Sequence, residues 1–517
     1  MKPIRLMAGF FTVGLWTLLS RVLGFVRDIM IAAYLGTGPA AEAYFVAFSL
    51  PNLFRRFFAE GAFNMAFVPM FSKKLEADEA PHKFAQDAFV GLGSILIIFT
   101  IVAMIFMPVL VTLMASGWRG TERFDLAVQY GRIAFCYILF ISLSALLSGV
   151  LNATGRFAAA AAAPVLLNVI LVATLIIGAA VLDRADQSGM GRLLVYAIPL
   201  AGLAQLALVW FAAKRAGFSL GFSRPHMTPE LKRLAIIAAP AALAGGVVQI
   251  NLLVGRQVAS YFDGALAWLN YADRLYQLPL GVVGIAVGIV LLPELSRRLR
   301  AGDAAGGRDA FNRASEISLA LTIPAAIALM VIPVPLVSVL FERGAFTAEA
   351  TQSTALAVAI YGLGLPAFVL QKTLQPLFFA REDTKRPFYY AVAAMVLNAV
   401  LAIGLSPLIG FAAAAIGTTL TGWAMVVLLV RGTRTMGDAA KLDTQFKTRL
   451  PRIVIAAIGM GIVLAVASQI MGPWFDLARL RYLALLALVL TGMASYFAIG
   501  QTIGAFKLSE FRRSLRG

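Results

Sequence analysis

Apolar runs long enough to cross a lipid bilayer recur from one end of this chain to the other, and few other folds accommodate such a pattern. A bilayer core about 30 Å thick takes about 20 helical residues to span. Hydrophobic residues make up 60% of the 517, charged residues 14%, and the mean hydropathy is +0.84. Ordinary soluble domains carry about 25% charged residues. No hydrophilic stretch is long enough for a soluble domain. The net charge of +18 would suit nucleic acid, but most of it lies in short loops, as the positive-inside rule produces, so no nucleic-acid partner is expected.

Fourteen spans are predicted, near 9–35, 43–71, 85–114, 129–151, 159–182, 192–213, 232–262, 265–294, 314–340, 350–379, 387–406, 409–430, 451–471 and 480–504. The expected fold class is an all-α polytopic membrane protein. The N-terminus imitates a signal peptide (Lys2, Arg5, then an apolar run), but the run continues into Ser20 and Arg21 without a small-residue cleavage pattern, which reads as a retained first helix. Of the 44 Lys and Arg, eight fall inside spans, away from the two residues at either end. Placing both termini in the cytoplasm leaves seven on the external side (Arg119, Arg123, Arg184, Arg192, Arg343, Arg479, Arg481) and 29 inside.

The eight are Arg21, Arg27, Arg55, Arg56, Arg132, Arg256, Arg274 and Lys372. A cation at mid-bilayer costs about 2.5–3.5 kcal/mol even on the gentlest scale. Their spans offer only three obvious carboxylates, Asp28, Glu60 and Asp273, leaving five positive charges over. A wet, electropositive cavity follows, and its natural occupant is an anion.

The chain also repeats itself. "VPMFSKKL" (68–75) returns as "LPELSRRL" (292–299), and "VLLNVIL" (165–171) as "MVLNAVL" (395–401), at offsets of 224 and 230. Six helices per unit make the repeat parallel, giving two pseudo-symmetric six-helix lobes, 1–215 and 216–435, and a C-terminal helix pair with its tail, 436–517. Transporters built this way hold substrate between lobes that rock.

Within "SRVLGFVRD" of helix 1, Arg21 and Asp28 share a face and are placed to pair, with Arg27 about 120° away. Gly24 permits a bend that reorients Arg27. In helix 2, Arg56 and Glu60 are four apart and neutralise one another, leaving Arg55 for a ligand. In "NYADRLYQLP" of helix 8, Arg274 and Gln277 share a face beside Asp273. Arg132, Arg256 and Lys372 are weaker cavity candidates. Asn168 and Asn398, equivalent in the repeat, suit interhelical hydrogen bonds. Arginine is the cation of choice for bidentate phosphate or carboxylate binding, and several converging from two lobes suit a diphosphate.

Enzyme chemistry finds no support. There is no phosphate-binding glycine loop, HExxH or GxSxG; the single Cys136 excludes an internal disulfide and cysteine-based metal sites; His82 and His226 fall in loops. No cofactor and no metal are expected.

At "SRVLGFVRD", "AEAYFVAFSLPNLFRRFFAEGAF" and "YADRL" the chain resembles the MurJ (MviN) lipid II flippase family of the MOP exporter superfamily, over its whole length. The resemblance implies an inner-membrane protein moving undecaprenyl-diphosphate-linked disaccharide-pentapeptide from cytoplasm to periplasm for peptidoglycan synthesis. Its implied partners are lipid II, membrane lipids and the cell-wall synthesis machinery. It implies substrate contact by Arg21, Arg27, Arg55 and Arg274, with Ser20 and Asn52 nearby. Asp28 and Glu60 are also implied to lie nearby; with Glu42, Arg56, Asp273 and Gln277, read from the residues themselves, they are the expected cavity charge partners or gating residues, and the resemblance implies that the extra helix pair forms a groove for the polyprenyl tail.

Departures from the family pattern also stand in the sequence. Glu42 replaces a frequent Asp, Gln277 replaces a Glu found in some relatives, and the positions around Gly255 and Ala402 lack the carboxylates with which some relatives bind sodium, though Asn398 and Thr418 remain. An exporter of other lipid-linked sugars would share the basic cavity. A multidrug exporter for cations would want carboxylates where this chain has arginines.

Overall fold

The computed structural model describes residues 3–55, 62–183, 186–221, 223–477 and 479–505; at 3–11, 62–65, 239–252 and 282–290 it describes the backbone alone. Arg56 and Glu60 therefore lie outside the described residues. The described residues are helical, with no strand among them.

Two compact units divide the chain. The first is Met1–Ala267 with Arg343–Phe346, and the second is Trp268–Glu342 with Thr347–Gly517. In the first, α1 (Pro3–Leu35) packs on α8 (Ala158–Val181), and α2 (Pro39–Arg55) on α6 (Glu122–Phe135). The remaining helices there are α3 (Ala62–Glu76), α4 (Pro81–Ile105), α5 (Met107–Met114), α7 (Tyr137–Ala153), α9 (Gln187–Arg215) and α10 (Pro229–Ala259). The second holds α12 (Ala304–Val331), α13 (Pro333–Phe341), α14 (Ala348–Phe379), α15 (Lys385–Ile409), α16 (Ala412–Thr433), α17 (Thr444–Ile470), α18 (Gly472–Phe475) and α19 (Arg481–Thr502). Helix α11 (Ala265–Arg300) begins in the first unit and continues in the second. Compactness assigns α10 to the first unit because that helix packs on α3, α4 and α5. The boundaries at 215 and 435 expected from the sequence repeat differ from this division.

Among the described residues, ten helical segments are long and apolar enough to cross a membrane. They coincide with ten of the fourteen predicted spans. The other four predicted spans, 9–35, 43–71, 232–262 and 265–294, fall on α1, α2 with α3, α10 and α11; in sequence those four spans hold six of the eight cations, Arg21, Arg27, Arg55, Arg56, Arg256 and Arg274. Large apolar side chains point outward, among them Leu408 at 79% and Val181 at 75% exposure. Such a surface needs lipid rather than water around it.

Proline sets the breaks. Pro108 has no N–H for the carbonyl of Met104, and Pro333 none for that of Leu329, so the helix restarts at Met107 and again at Pro333. The two prolines are 225 residues apart, close to the sequence offsets of 224 and 230. Arg156 and Arg386, 230 apart, also act alike. Arg156 donates to the carbonyl of Arg215 at the end of α9 (3.0 Å), and Arg386 to the carbonyl of Gly432 (3.5 Å) and the hydroxyl of Thr435 (3.2 Å) at the end of α16. A cation at the carbonyl end of a helix complements its dipole.

Candidate functional site

Helix α1 runs unbroken from Pro3 to Leu35, so Gly24 introduces no break. A Cβ at Gly24 would sit 3.6 Å from both the Nδ2 and the Oδ1 of Asn168, and this glycine is where α8 meets α1. Asn168 itself is 6% exposed, a polar group inside an otherwise apolar helix. Its Nδ2 donates to the carbonyl of Ser20 (2.9 Å) and to the Ser20 hydroxyl (3.3 Å). Its Oδ1 accepts from Nη1 of Arg27 (2.9 Å).

Arg27 is only 7% exposed. Its Nε (3.0 Å) and Nη2 (2.7 Å) both donate to Oδ1 of Asp28, and its guanidinium lies 5.8 Å from the Phe48 ring centre. Tyr44 stacks on Phe48, which also meets Tyr137. The sequence expectation that Asp28 pairs with Arg21 is thereby corrected: Arg21 is exposed, and the carboxylate goes to the buried neighbour. The reason is energetic, because an unpaired buried cation costs far more than an exposed one. Arg27 retains two of its five N–H donors, enough to meet an oxyanion.

Other predicted residues have varied fates. Arg55 ends α2 half-buried, next to Phe54, whose ring packs on Phe99 and Phe135. Asn52 turns back on its own helix, donating to the Phe48 carbonyl (2.8 Å). Glu42 is wholly buried, lies 3.1 Å from Nε of Arg123, and accepts from the Leu266 amide (3.2 Å); Arg123 also pairs with Asp263. In α11, Arg274 is half-buried, and Gln277 bonds to Asp273. Tyr276 packs against Tyr361 and Phe368. Arg256 is half-buried and Lys372 exposed.

Arg132 has a structural partner. It donates to the carbonyl of Met104 (3.2 Å), the one that Pro108 leaves without an intrahelical donor. Sequence reasoning missed Arg123 as the partner of Glu42, since it was counted with the external loops. The signal for Asn168 was present, a single amide within a long apolar helix. Among the described residues, no group of His, Cys, Asp and Glu is arranged to hold a metal ion.

A helical array with lipid-facing apolar surface and a buried arginine centre defines a polytopic membrane protein. Its fold is that of the MOP-superfamily transporters. An inward-facing multidrug-resistance MATE transporter of that superfamily matches with a TM-score of 0.67 at 15% identity, over 81% of this chain and 95% of its own. A structure of lipid II flippase MurJ in an inward closed conformation matches with a TM-score of 0.78 at 24% identity, over 98% and 99%.

The sequence is more specific. The family profile "Lipid II flippase MurJ" matches residues 31–485. The probable lipid II flippase MurJ of Rhizobium meliloti is 45% identical over 99% of this chain and 97% of its own length. The chain belongs to the lipid II flippase MurJ family.

Proposed function

We propose that this chain is a lipid II flippase of the bacterial inner membrane, moving the undecaprenyl-diphosphate-linked peptidoglycan precursor from the cytoplasmic to the periplasmic leaflet. The observation that carries the reading is its end-to-end likeness, at 45% identity, to a relative named for that activity. The chemistry of α1 supports it, because a buried guanidinium with donors to spare suits a phosphate oxygen.

In this reading the chain crosses the membrane fourteen times with both termini in the cytoplasm. Arg21, Arg27 and Arg55, with Ser20 and Asn52, serve the diphosphate together with Arg274 of the repeated half, and access alternates between the two faces. The work is binding and conformational change, with no covalent step. An interior-negative potential favours outward movement of an anion by about 2.3 kcal/mol per charge per 100 mV, and this sets the direction. The cell-wall synthesis machinery that consumes lipid II is the expected partner.

The test is complementation. Expressed in a strain depleted of its own lipid II flippase, the wild-type chain restores growth and clears lipid II from the cytoplasmic leaflet, and an Arg55→Ala chain at equal abundance does neither. Normal growth with Arg55→Ala would overturn the site. Failure of the wild-type chain to clear lipid II would overturn the function. Collapsing the potential while keeping the proton gradient slows flipping; an unchanged rate would assign the drive to an ion instead.

A further inference from the structure

We propose that Asn168 is a positioning residue for anion binding: from α8 it fixes both the guanidinium of Arg27 and the backbone of α1 at Ser20, so that the ligand meets a preset cation. The proposal rests on the lipid II reading above and adds a residue to that site.

The geometry carries it. The two ends of one amide engage the same partner helix at points seven residues apart, Oδ1 receiving Nη1 of Arg27 at 2.9 Å and Nδ2 reaching the Ser20 carbonyl at 2.9 Å. Two turns of helix separate those points, so they lie on one stripe of α1, and Gly24 between them brings the amide close. Asn168 and Arg27 are 6% and 7% exposed, so their contact has little water to exchange with. Asp28 sits on the opposite edge of the guanidinium. Held by a carboxylate on one side and a neutral amide on the other, the planar group cannot rotate, and its remaining donors keep one direction. Neutrality matters as much as reach. A second carboxylate at position 168 would still accept from Arg27 but would turn the centre net negative.

Lipid II binding to the full-length protein in nanodiscs tests this, alongside thermal melts of every variant. Asn168→Ala is expected to weaken binding about tenfold, the value of a hydrogen bond to a charged group. Asn168→Asp, nearly the same shape, is expected to weaken it further. In an Arg27→Ala background, Asn168→Ala is expected to add no further loss of affinity, while lowering the melting temperature as it does alone. A purely structural asparagine would give the same loss in both backgrounds, and that outcome, or unchanged affinity in Asn168→Ala and Asn168→Asp, would overturn the proposal. Undiminished binding by Arg27→Ala would instead sink the placement of the diphosphate at this arginine.

Discussion

Arg27 and Asp28, adjacent in sequence, form a closed ion pair at 2.7 Å in which both side chains are less than one-tenth exposed. Because the pair is buried, its two members are not independently replaceable. Removing the carboxylate leaves a cation in a place that water barely reaches, and such losses run to about 3–5 kcal/mol. Asp28→Asn is therefore expected to lower stability by about 3 kcal/mol. Detergent-solubilised melts check this, and a change within error of zero would mean that the guanidinium finds another partner.

Glu42 makes a second prediction, at the start of α2. Its carboxylate meets Arg123 and the Leu266 amide with no exposure of its own. Glu42→Gln keeps an acceptor for the amide but loses the charge, and should cost about 2 kcal/mol, in the range of a hydrogen bond to a charged group. Glu42→Ala should cost more, since it also leaves the Leu266 N–H unpaired. Equal melting temperatures for the two variants would count against the amide contact.

Gly36 offers a steric test. Its φ is +63°, and a Cβ there would lie 2.3 Å from the carbonyl oxygen of Ala345; the neighbouring Ala345 amide donates to Ala33 at 2.8 Å. Gly36→Ala brings both backbone strain and a clash, and about 2 kcal/mol of destabilisation is expected, within the usual cost of overpacking. An alanine accepted without loss would show that segment 343–346 can yield.

Asp443 supplies a dependence on pH. It caps α17 ahead of the predicted span 451–471, accepting from the Phe446 amide at 2.6 Å and pairing with Arg313. Partial burial pushes its carboxyl up, but the Phe446 N–H and the Arg313 charge outweigh that and hold it below its ordinary value. A lowered pKa stabilises the fold above the ordinary carboxylate value and loses that effect as pH falls through the folded one. Asp443→Ala should cost about 1 kcal/mol at neutral pH through loss of the cap alone. Asp443→Asn keeps a cap acceptor, and its deficit against wild type should shrink below about pH 4. A deficit independent of pH would point to the cap rather than the charge.

Two short peptide echoes suggest a repeat in the sequence, and Pro108 with Pro333 and Arg156 with Arg386 are further pairs at the comparable offsets of 225 and 230. Arg132 was readable only as a cation in a span. Its use became visible with the break at Pro108, which frees the Met104 carbonyl that it caps. The pairing of Asp28 was misjudged because a helical wheel reports which residues share a face of one helix and is silent about which face becomes buried.

The sequence by itself determined that the chain is helical and lies in a membrane, because span length and apolarity are local quantities fixed by bilayer thickness and solvation cost. Only the tertiary structure decided that Arg27 is buried, that Asp28 neutralises it and that the Asn168 amide bonds to it. Those choices depend on how α1 seats against α8, and such a register is set by packing between residues 141 positions apart.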